Sequence, residues 1–350
     1  MAQQLKALRH DDGVLWALDQ TLLPWDERWL RLRGADDVAR ALRRLSIRGA
    51  PLIGVAAAYG VALELAGDPG SLQRACGTLV AARPTAVNLA WAVERVRAAA
   101  ETGDDGGRAA RALAEAQAIE RQETASSEAI AAHGAELLSS LGARRILTHC
   151  NTGALAAPGR GTALAPIAEL HDRGELELVL ATETRPLLQG ARLTAYELGR
   201  LGIEHAVIVD GAAAGLIARG DVGAVIVGCD RVAANGDVAN KVGTYAHALA
   251  AAAAQIPFVV AGPCSTIDPD TPSGSEIVIE QRDPDEVASV PADGGRFRVA
   301  PAASAALNPA FDITPAHLVT ALVTERGVAR PVDGDSIARL LAPAVAARLG

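Results

Sequence analysis

A change in hydrophobic period near residue 141 is the feature that most constrains the fold of this chain. Before this point, apolar residues recur at helical spacing in long, alanine-rich segments. After it, short apolar runs rich in β-branched residues alternate with helical segments, as in parallel sheets with helices on both faces. We therefore predict an α/β protein with a mainly helical N-terminal domain, residues 1–130, and a Rossmann-like domain with a doubly wound parallel sheet, residues 131–350.

The N-terminal third predicts helices joined to a small strand element. The stretch GVLWALDQTLLPWDERWLRL is typical of short strands around a turn. Amphipathic spacing then predicts helices, interrupted once by the turn-forming run TGDDGG. The predicted helices cover residues 36–45, 51–65, 87–100, 107–122 and 126–141.

The remainder of the chain predicts the strands and helices of the sheet domain. Five runs predict parallel strands: ILTHC, LELVLAT, HAVIVD, AVIVGCD and PFVVAG. Helical segments lie between them at residues 163–171, 188–201, 212–218 and 245–255. A last helix is predicted over residues 315–326.

Composition excludes several classes of function. With 350 residues, 50% of them apolar, the chain can bury more than one core. The net charge of −8 without a long basic run argues against nucleic-acid binding. The N-terminus lacks a signal layout and no apolar run approaches the roughly 18–20 residues of a membrane span, so we expect a cytoplasmic protein without membrane contact. The four cysteines form no CxxC pair, which argues against a zinc site or disulfide framework.

Polar and thiol side chains follow the predicted strands where those strands end. Ligands of open α/β sheets bind at the carboxyl ends of the strands. Any one of these segments alone is more simply explained as a helix cap or turn. Five of them at one sheet edge favour a binding site instead. The segments are residues 149–153, 183–186, 210–211, 228–231 and 262–264.

Asp230 is the candidate general acid or base. It follows a continuous apolar strand, so its carboxylate is expected at the margin of a desolvated cleft, where the pKa of a carboxyl rises. An ion pair with Arg231 or a turn cap is the alternative. Cys150 ends the first strand in the same way and is either a second proton donor, a polar wall or an inert buried thiol. Glu183, at the neighbouring strand end, is the next candidate carboxylate.

Two segments are candidate phosphate sites because each combines a cation with the start of a helix. In Arg48-Gly49-Ala50, the glycine permits close backbone approach and the arginine supplies a fork for an anion. Asn240 and Lys241 precede the helix predicted from residue 245. Arg83 is a third cation that could contact the same anion.

Several familiar motifs are absent from the sequence. It contains no GxGxxG, GxxxxGK[ST], HExxH or GxSxG, which weakens dinucleotide, nucleotide-triphosphate, metalloprotease and hydrolase assignments. What remains is a reaction on a small phosphorylated substrate without a cofactor or metal.

A set of longer motifs resembles one family over nearly the whole chain, in the expected order. The motifs are IRGAPLIGVAAAYG, RPTAVNLAWAVERV, ILTHCNTGALA, ETRPLLQGARLTAYEL, VIVGCDRVAANGDVANKVGTYAHALAA and IPFVVAGPCSTID. They resemble the methylthioribose-1-phosphate isomerase family, within a wider group that includes regulatory subunits of the translation-initiation nucleotide-exchange factor.

The resemblance implies an aldose–ketose isomerase of methionine salvage that forms a homodimer, through the C-terminal domain. It implies that Asp230 is the proton donor and Cys150 its catalytic partner in the second domain. The implied substrate-binding residues are Arg48, Gly49, Ala50, Arg83, Gln189, Asn240 and Lys241. The substrate is a furanose whose C1 oxygen carries phosphate, so the ring must open and hydrogen must move from C2 to C1 without loss of that phosphate.

Two alternatives stay open from the sequence. A non-catalytic regulatory subunit would share the fold but would not need Cys150, Asp230 and both phosphate segments together. An isomerase of 5-deoxyribose 1-phosphate or ribose 1,5-bisphosphate would share the chemistry. A bisphosphate would need a second anion site, whereas residues 88–91 look better suited to an apolar C5 substituent.

Overall fold

The computed structural model describes residues 5–292 and 295–342, and it confirms an α/β fold with a helical N-terminal region and a large, mostly parallel sheet. The strands are β1 (Leu8–Asp11), β2 (Val14–Leu18), β3 (Trp29–Leu32), β4 (Arg145–Thr148), β5 (Leu178–Thr182), β6 (His205–Ile208), β7 (Ala224–Val227), β8 (Arg231–Ala233), β9 (Val238–Lys241), β10 (Phe258–Ala261), β11 (Ile267–Asp268), β12 (Ser289–Ala292), β13 (Gly295–Arg298), β14 (Phe311–Thr314), β15 (Ala321–Thr324) and β16 (Gly327–Ala329). The α-helices are α1 (Ala35–Arg43), α2 (Ala50–Gly67), α3 (Leu72–Val80), α4 (Val87–Glu101), α5 (Arg108–Ser140), α6 (Leu164–Asp172), α7 (Ala195–Leu201), α8 (Ala213–Ala218), α9 (Thr244–Ala253), α10 (Asp285–Ala288) and α11 (Gly334–Leu341).

The N-terminal region packs helices α1–α5 and the antiparallel sheet β1-β2-β3 around one apolar core. Helix α2 is the centre of this core. Its 18 residues are long and apolar enough to cross a membrane by length and composition, contrary to the expectation that no run reaches that length. However, 83% of that segment is buried, so its place in the core explains its apolar character.

Helix α5 runs continuously from Arg108 to Ser140, so the two helices predicted over residues 107–122 and 126–141 are one. Its buried side chains up to Ile119 belong to the N-terminal core, while those from Ile130 onward pack against the large sheet. The predicted domain boundary between residues 130 and 131 falls inside this helix, and the boundary stays a prediction.

The large sheet has the strand order β16-β15-β10-β7-β4-β5-β6, in which only β16 is antiparallel to its neighbour. Successive residues of each central strand face opposite layers. In β7, Val225 and Val227 face the layer that contains α8, α9 and α11, while Ala224 and Ile226 face the layer of α5, α6 and α7. The sheet is therefore covered on both faces, as the apolar runs predict.

The order of the six parallel strands reverses between β4 and β7. In chain order the strands read 3-2-1-4-5-6 across the sheet, which is the doubly wound Rossmann arrangement. Ligands in such sheets bind where the order reverses, because the loops after the two flanking strands diverge and leave a crevice. Beside this point lies a small sheet of order β11-β8-β9-β14.

The helix predicted over residues 315–326 is wrong. Residues Ala321–Thr324 form β15, which pairs in parallel with β10 and is fully buried. A short apolar run that is buried on both faces has no period to distinguish a strand from a buried helix. Here the β-branched residues Val319, Thr320, Val323 and Thr324 favour the strand.

Candidate active site

An open cleft of about 750 Å³ lies at the point where the strand order reverses. It is bounded by the start of α2 on one side and by the small sheet on the other. The structure brings all nine predicted site residues to this cleft. They are Arg48, Gly49, Ala50, Arg83, Cys150, Gln189, Asp230, Asn240 and Lys241.

Cys150 and Asp230 follow the two strands that flank the reversal point. Cys150 comes two residues after β4 and has a positive φ of 64°, held by a hydrogen bond from its N–H to Thr184 Oγ1 at 2.9 Å. Asp230 comes after β7, and its N–H donates to the Ala239 carbonyl. Its carboxylate forms no side-chain hydrogen bond or ion pair with the described part of the chain, so the alternative of an Arg231 pair is not observed.

The surroundings of Asp230 favour the protonated acid. Burial raises the pKa of Asp230 above its ordinary value, although the positive charges of Lys241, Arg83 and Arg48 oppose this rise. Burial likewise lowers the pKa of Lys241, against the attraction of Cys150 and Asp230. A carboxyl group with a raised pKa beside several cations can hold a proton and release it as charge develops nearby.

Strand β9 places Asn240 and Lys241 in the cleft wall. The ammonium of Lys241 donates to the Ala310 carbonyl at 2.6 Å and lies 4.8 Å from the centre of the Phe311 ring. Asn240 donates from Nδ2 to Thr244 Oγ1 at 3.0 Å. Both side chains are therefore fixed by protein contacts before any ligand enters.

The start of α2 is the first predicted phosphate segment, and it borders the cleft directly. Gly49 has φ of 92°, and a Cβ there would lie 2.4 Å from the Ala156 carbonyl oxygen, so only glycine fits. Arg48 is buried and donates from one terminal nitrogen to the main-chain oxygen and Oδ1 of Asn151, at 2.8 and 2.6 Å.

The second predicted phosphate segment differs from expectation at its helix. The N–H groups of Gly243 and Tyr245, at the start of α9, donate to the carboxylate of Asp312 at 2.7 and 3.1 Å. This helix start is already capped by an anion of the protein itself. Of this segment, only the side chains of Asn240 and Lys241 border the cleft.

Several buried polar atoms along the cleft have no hydrogen-bond partner in residues 5–292 and 295–342. They are Arg48 Nε, Arg83 Nε, Thr152 Oγ1 and Gln189 Oε1. Arg83 is held by an ion pair with Glu280 at 3.1 Å. Unsatisfied buried donors and acceptors are costly, so their concentration here indicates a site built for a polar ligand.

Other residues that border the cleft were not predicted as site residues, and Asn151, Arg282 and Phe311 are among them. Asn151 lies in a segment that was recognised as a strand end, so its position was a usable signal. Arg282 comes from irregular chain and Phe311 is the first residue of β14, a strand that the sequence patterns did not predict, so no local pattern marks either residue. Glu183, the reserve carboxylate, is not among the cleft residues.

A second cavity of about 520 Å³ opens from the same cleft and shares Asp230 and Arg83 with it. Two arginines and Asp230 line part of it. Its apolar walls come from α2, the residue before α4, β9, β14 and the chain around residue 277. They are Ile53, Ala86, Ala239, Ile277, Val278 and Phe311. Residues 88–91, expected to contact an apolar substituent, do not line either cavity.

The described ranges contain no group of three or more His, Cys, Asp or Glu side chains arranged to hold a metal ion. The cleft instead presents one carboxyl, the thiols of Cys150 and Cys229, and several cations. That combination suits proton transfer on an anionic ligand.

Comparisons with known proteins extend these observations. The sequence pattern of the Initiation factor 2 subunit family matches residues 46–331. The methylthioribose-1-phosphate isomerase of Anaeromyxobacter sp. (strain K) is 51% identical over 342 residues, covering 97% of this chain and 98% of that protein. The 5-deoxyribose 1-phosphate isomerase of Moorella thermoacetica is 47% identical, covering 98% and 99%. The crystal structure of 5-methylthioribose 1-phosphate isomerase from Pyrococcus horikoshii OT3 aligns with a TM-score of 0.88 at 36% identity, covering 97% and 96%.

Proposed function

The chain belongs to the Initiation factor 2 subunit family, and on that premise we propose that it is an aldose–ketose isomerase of methionine salvage. Its substrate is S-methyl-5-thio-α-D-ribose 1-phosphate and its product is S-methyl-5-thio-D-ribulose 1-phosphate. The observation that carries this proposal is the unpaired, desolvated carboxyl of Asp230 among the cations of the cleft. Full-length similarity to enzymes of this name supports the same conclusion.

The reaction requires an acid at the ring oxygen, because the phosphate on the C1 oxygen prevents ordinary opening to a free aldehyde. Asp230, with its raised pKa, donates that proton and allows the ring to open. Hydrogen then moves from C2 to C1, and the C2 hydroxyl gives up its proton to a base in the cleft as it becomes the ketone carbonyl. Cys150, on the other side of the reversal point, is the catalytic partner in this step.

The phosphate is bound between the start of α2 and β9. Arg48 and Lys241 supply charge, and the unsatisfied Nε atoms of Arg48 and Arg83 supply further donors. Charge-assisted hydrogen bonds of this kind are the strong ones in protein sites. Gln189 and Asn240 contact the sugar hydroxyls from the remaining walls.

The second cavity, beside Asp230, accepts the C5 substituent. Its Ile and Phe walls suit a methylthio group. Arg83 and Arg231 also line this cavity, but each is already held in an ion pair, with Glu280 and Asp268, which argues against a second phosphate there and so against ribose 1,5-bisphosphate. A 5-deoxyribose substrate also presents an apolar C5, and a relative bears that name. The larger methylthio group fills more of this cavity, so we place it first.

A non-catalytic regulatory role is the second candidate, because the family description names an initiation factor. A sensor or interface protein has no need for an unpaired acid beside a thiol and several cations. The presence of Asp230, Cys150 and several cations together in this cleft favours the isomerase over a regulatory subunit.

Homodimerisation and a cytoplasmic location belong to the same proposal. Strand β6 is an edge strand of the large sheet, and its neighbourhood carries exposed apolar side chains, including Val207 and Val209. Tyr245 and Leu249 of α9 are also exposed. An exposed apolar edge strand is a common interface between copies.

The proposal is tested by incubating the purified protein with S-methyl-5-thioribose 1-phosphate and following the product by nuclear magnetic resonance. The expected result is a ketose that retains its phosphate. Release of inorganic phosphate, or no conversion, would contradict it.

A further inference from the structure

Glu197 of α7 is a buried carboxylate beside the cleft that the reaction described above does not use. It is 4% exposed and makes no ion pair with the described part of the chain. Burying a carboxylate in this way is costly unless hydrogen bonds compensate for the lost water. A specific role must therefore explain why Glu197 is buried beside the cleft.

The carboxylate accepts three hydrogen bonds from the turn that follows Cys150. Oε2 accepts from the Ala154 N–H at 2.6 Å, and Oε1 accepts from Asn151 Nδ2 at 2.7 Å and from the Leu155 N–H at 3.3 Å. A Cβ on Gly153 would lie 2.3 Å from Oε2, so the turn packs directly onto the carboxylate. Glu197 thus holds the shape of residues 151–155.

Asn151 transmits this arrangement to Arg48. Its amide nitrogen donates to Glu197 while its amide oxygen accepts from Arg48, so a flipped amide would lose both bonds. The main-chain oxygen of Asn151 accepts from the same terminal nitrogen of Arg48. One terminal nitrogen of the guanidinium is therefore fixed by two acceptors, and its Nε is left without a partner among the described residues.

We propose that Glu197 is a positioning residue, which acts through Asn151 to orient the Arg48 guanidinium for an anionic ligand. The inference rests on the proposed function only in taking Arg48 as a phosphate-binding residue. Glu197 itself lies behind the turn and is not among the residues that line the cleft.

Binding of inorganic phosphate, measured by calorimetry, tests this link without requiring catalysis. Glu197→Gln keeps the shape of the side chain but places an amide NH₂ group opposite an N–H donor of the turn. Two donors cannot form a hydrogen bond, so residues 151–155 and the Arg48 side chain lose their fixed positions. We expect phosphate binding to weaken by about tenfold, the size of one charge-assisted hydrogen bond. In an Arg48→Ala background the same substitution should change phosphate binding by less than about twofold.

Glu123→Gln is the matched control, because Glu123 is also buried and accepts a hydrogen bond from Ser265, away from Arg48. It should leave phosphate binding unchanged. If Glu197→Gln does not fold, Asn151→Ala breaks the same link while Glu197 keeps its bonds to the Ala154 and Leu155 N–H groups, and it should give the same loss and the same dependence on Arg48.

An unchanged affinity in Glu197→Gln, or an equal loss with and without Arg48, would overturn the inference. Failure of the wild-type protein to bind phosphate would overturn it together with the assignment of the anion site. A wild-type protein that binds phosphate but does not isomerise the sugar phosphate would overturn the proposed function. The effect of Glu197→Gln on phosphate binding would still test the positioning role.

Discussion

Among single residues, Asp230 matters most to the proposed isomerisation. Asp230→Asn keeps the size of the side chain but cannot deliver a proton, so turnover should fall by about two to four orders of magnitude. The Michaelis constant should change much less, because the phosphate contacts remain. Steady-state kinetics on both proteins provide this measurement.

A thermal melt at two pH values is the control for this substitution. A raised pKa in the folded protein means that the ionised Asp230 destabilises the fold, and this cost appears as the pH rises through that pKa. Asp230→Asn should therefore be at least as stable as the wild type at pH 7, with a smaller difference at pH 4. Near-normal turnover in a stable variant would show that the carboxylate is structural.

The sequence could predict much of the site at this scale because doubly wound sheets place chemistry at strand ends. Cys150 and Asp230 follow short apolar runs, so their meeting at one edge followed from the fold class. Arg282 reaches the cleft from irregular chain and Phe311 from the start of β14, a strand that was not predicted, so no period or cap gives their position. The link between Glu197 and Arg48 depends on side chains far apart in sequence, which only the tertiary structure brings together.

At the scale of elements, the segment between β5 and α7 is held very closely to the sheet. Gly190 begins a π-helical turn, and a Cβ there would lie 1.7 Å from the main-chain oxygen of Thr182. Gly190→Ala must displace backbone, so we expect a loss of about 3 kcal/mol or more in the free energy of unfolding. Urea denaturation measures this loss.

Gly215→Ala is the matched control, because Gly215 lies inside α8 and, apart from the backbone of that helix, no atom of the described residues lies within 4 Å of an added Cβ. Alanine there should stabilise the protein by about 0.5–1 kcal/mol. If Gly190→Ala were as stable as the wild type, the close packing of this segment would be wrong.

A buried histidine pair joins the end of β4 to α9. His149 Nδ1 and His247 Nε2 are 3.2 Å apart, and His149 Nε2 lies 2.9 Å from the Val242 carbonyl. Burial lowers the pKa of His149 to about 3, and the pKa of His247 to about 4 against an opposing pull from Asp210. Both rings are therefore neutral in the folded protein near pH 7.

This pair should make stability depend on pH in a defined direction. Between about pH 4 and pH 6.5, the two histidines bind protons in the unfolded chain but stay neutral in the folded protein. The stability that the neutral pair allows is therefore complete above about pH 6.5 and is lost as the pH falls toward 4. Each histidine contributes up to about 1.4 kcal/mol per pH unit over this range. Urea denaturation should show a shallower dependence in His247→Gln, and an unchanged slope would contradict the neutral pair.

Sequence patterns predicted most of the helices and strands but failed where tertiary packing decides. The helix expected over residues 315–326 contains buried strand β15, because burial on both faces removes the strand period. The break expected between residues 122 and 126 is absent because α5 spans both apolar cores and is stabilised by each. Tertiary packing of this kind overrides local propensity.

At the scale of the whole molecule, the proposed homodimer gives a direct prediction. Val209 is 60% exposed at the end of edge strand β6. Val209→Asp places a charge in the proposed interface, where an unpaired charge is costly, and should convert the dimer to a monomer. Light scattering at micromolar concentration measures this change, and a wild-type monomer would contradict the dimer.

The central claim is that this cleft isomerises a sugar 1-phosphate with an apolar C5 substituent. The most direct measurement is kcat/KM of the wild-type protein for S-methyl-5-thioribose 1-phosphate, 5-deoxyribose 1-phosphate and ribose 1,5-bisphosphate under the same conditions. We predict the highest value for the methylthio sugar, a lower value for the deoxy sugar, and the lowest for the bisphosphate. Its second phosphate would meet the Ile and Phe walls of the second cavity, where both arginines are already paired with carboxylates. Preference for the bisphosphate, or turnover of none of the three, would contradict the proposed isomerisation of a sugar 1-phosphate with an apolar C5 substituent.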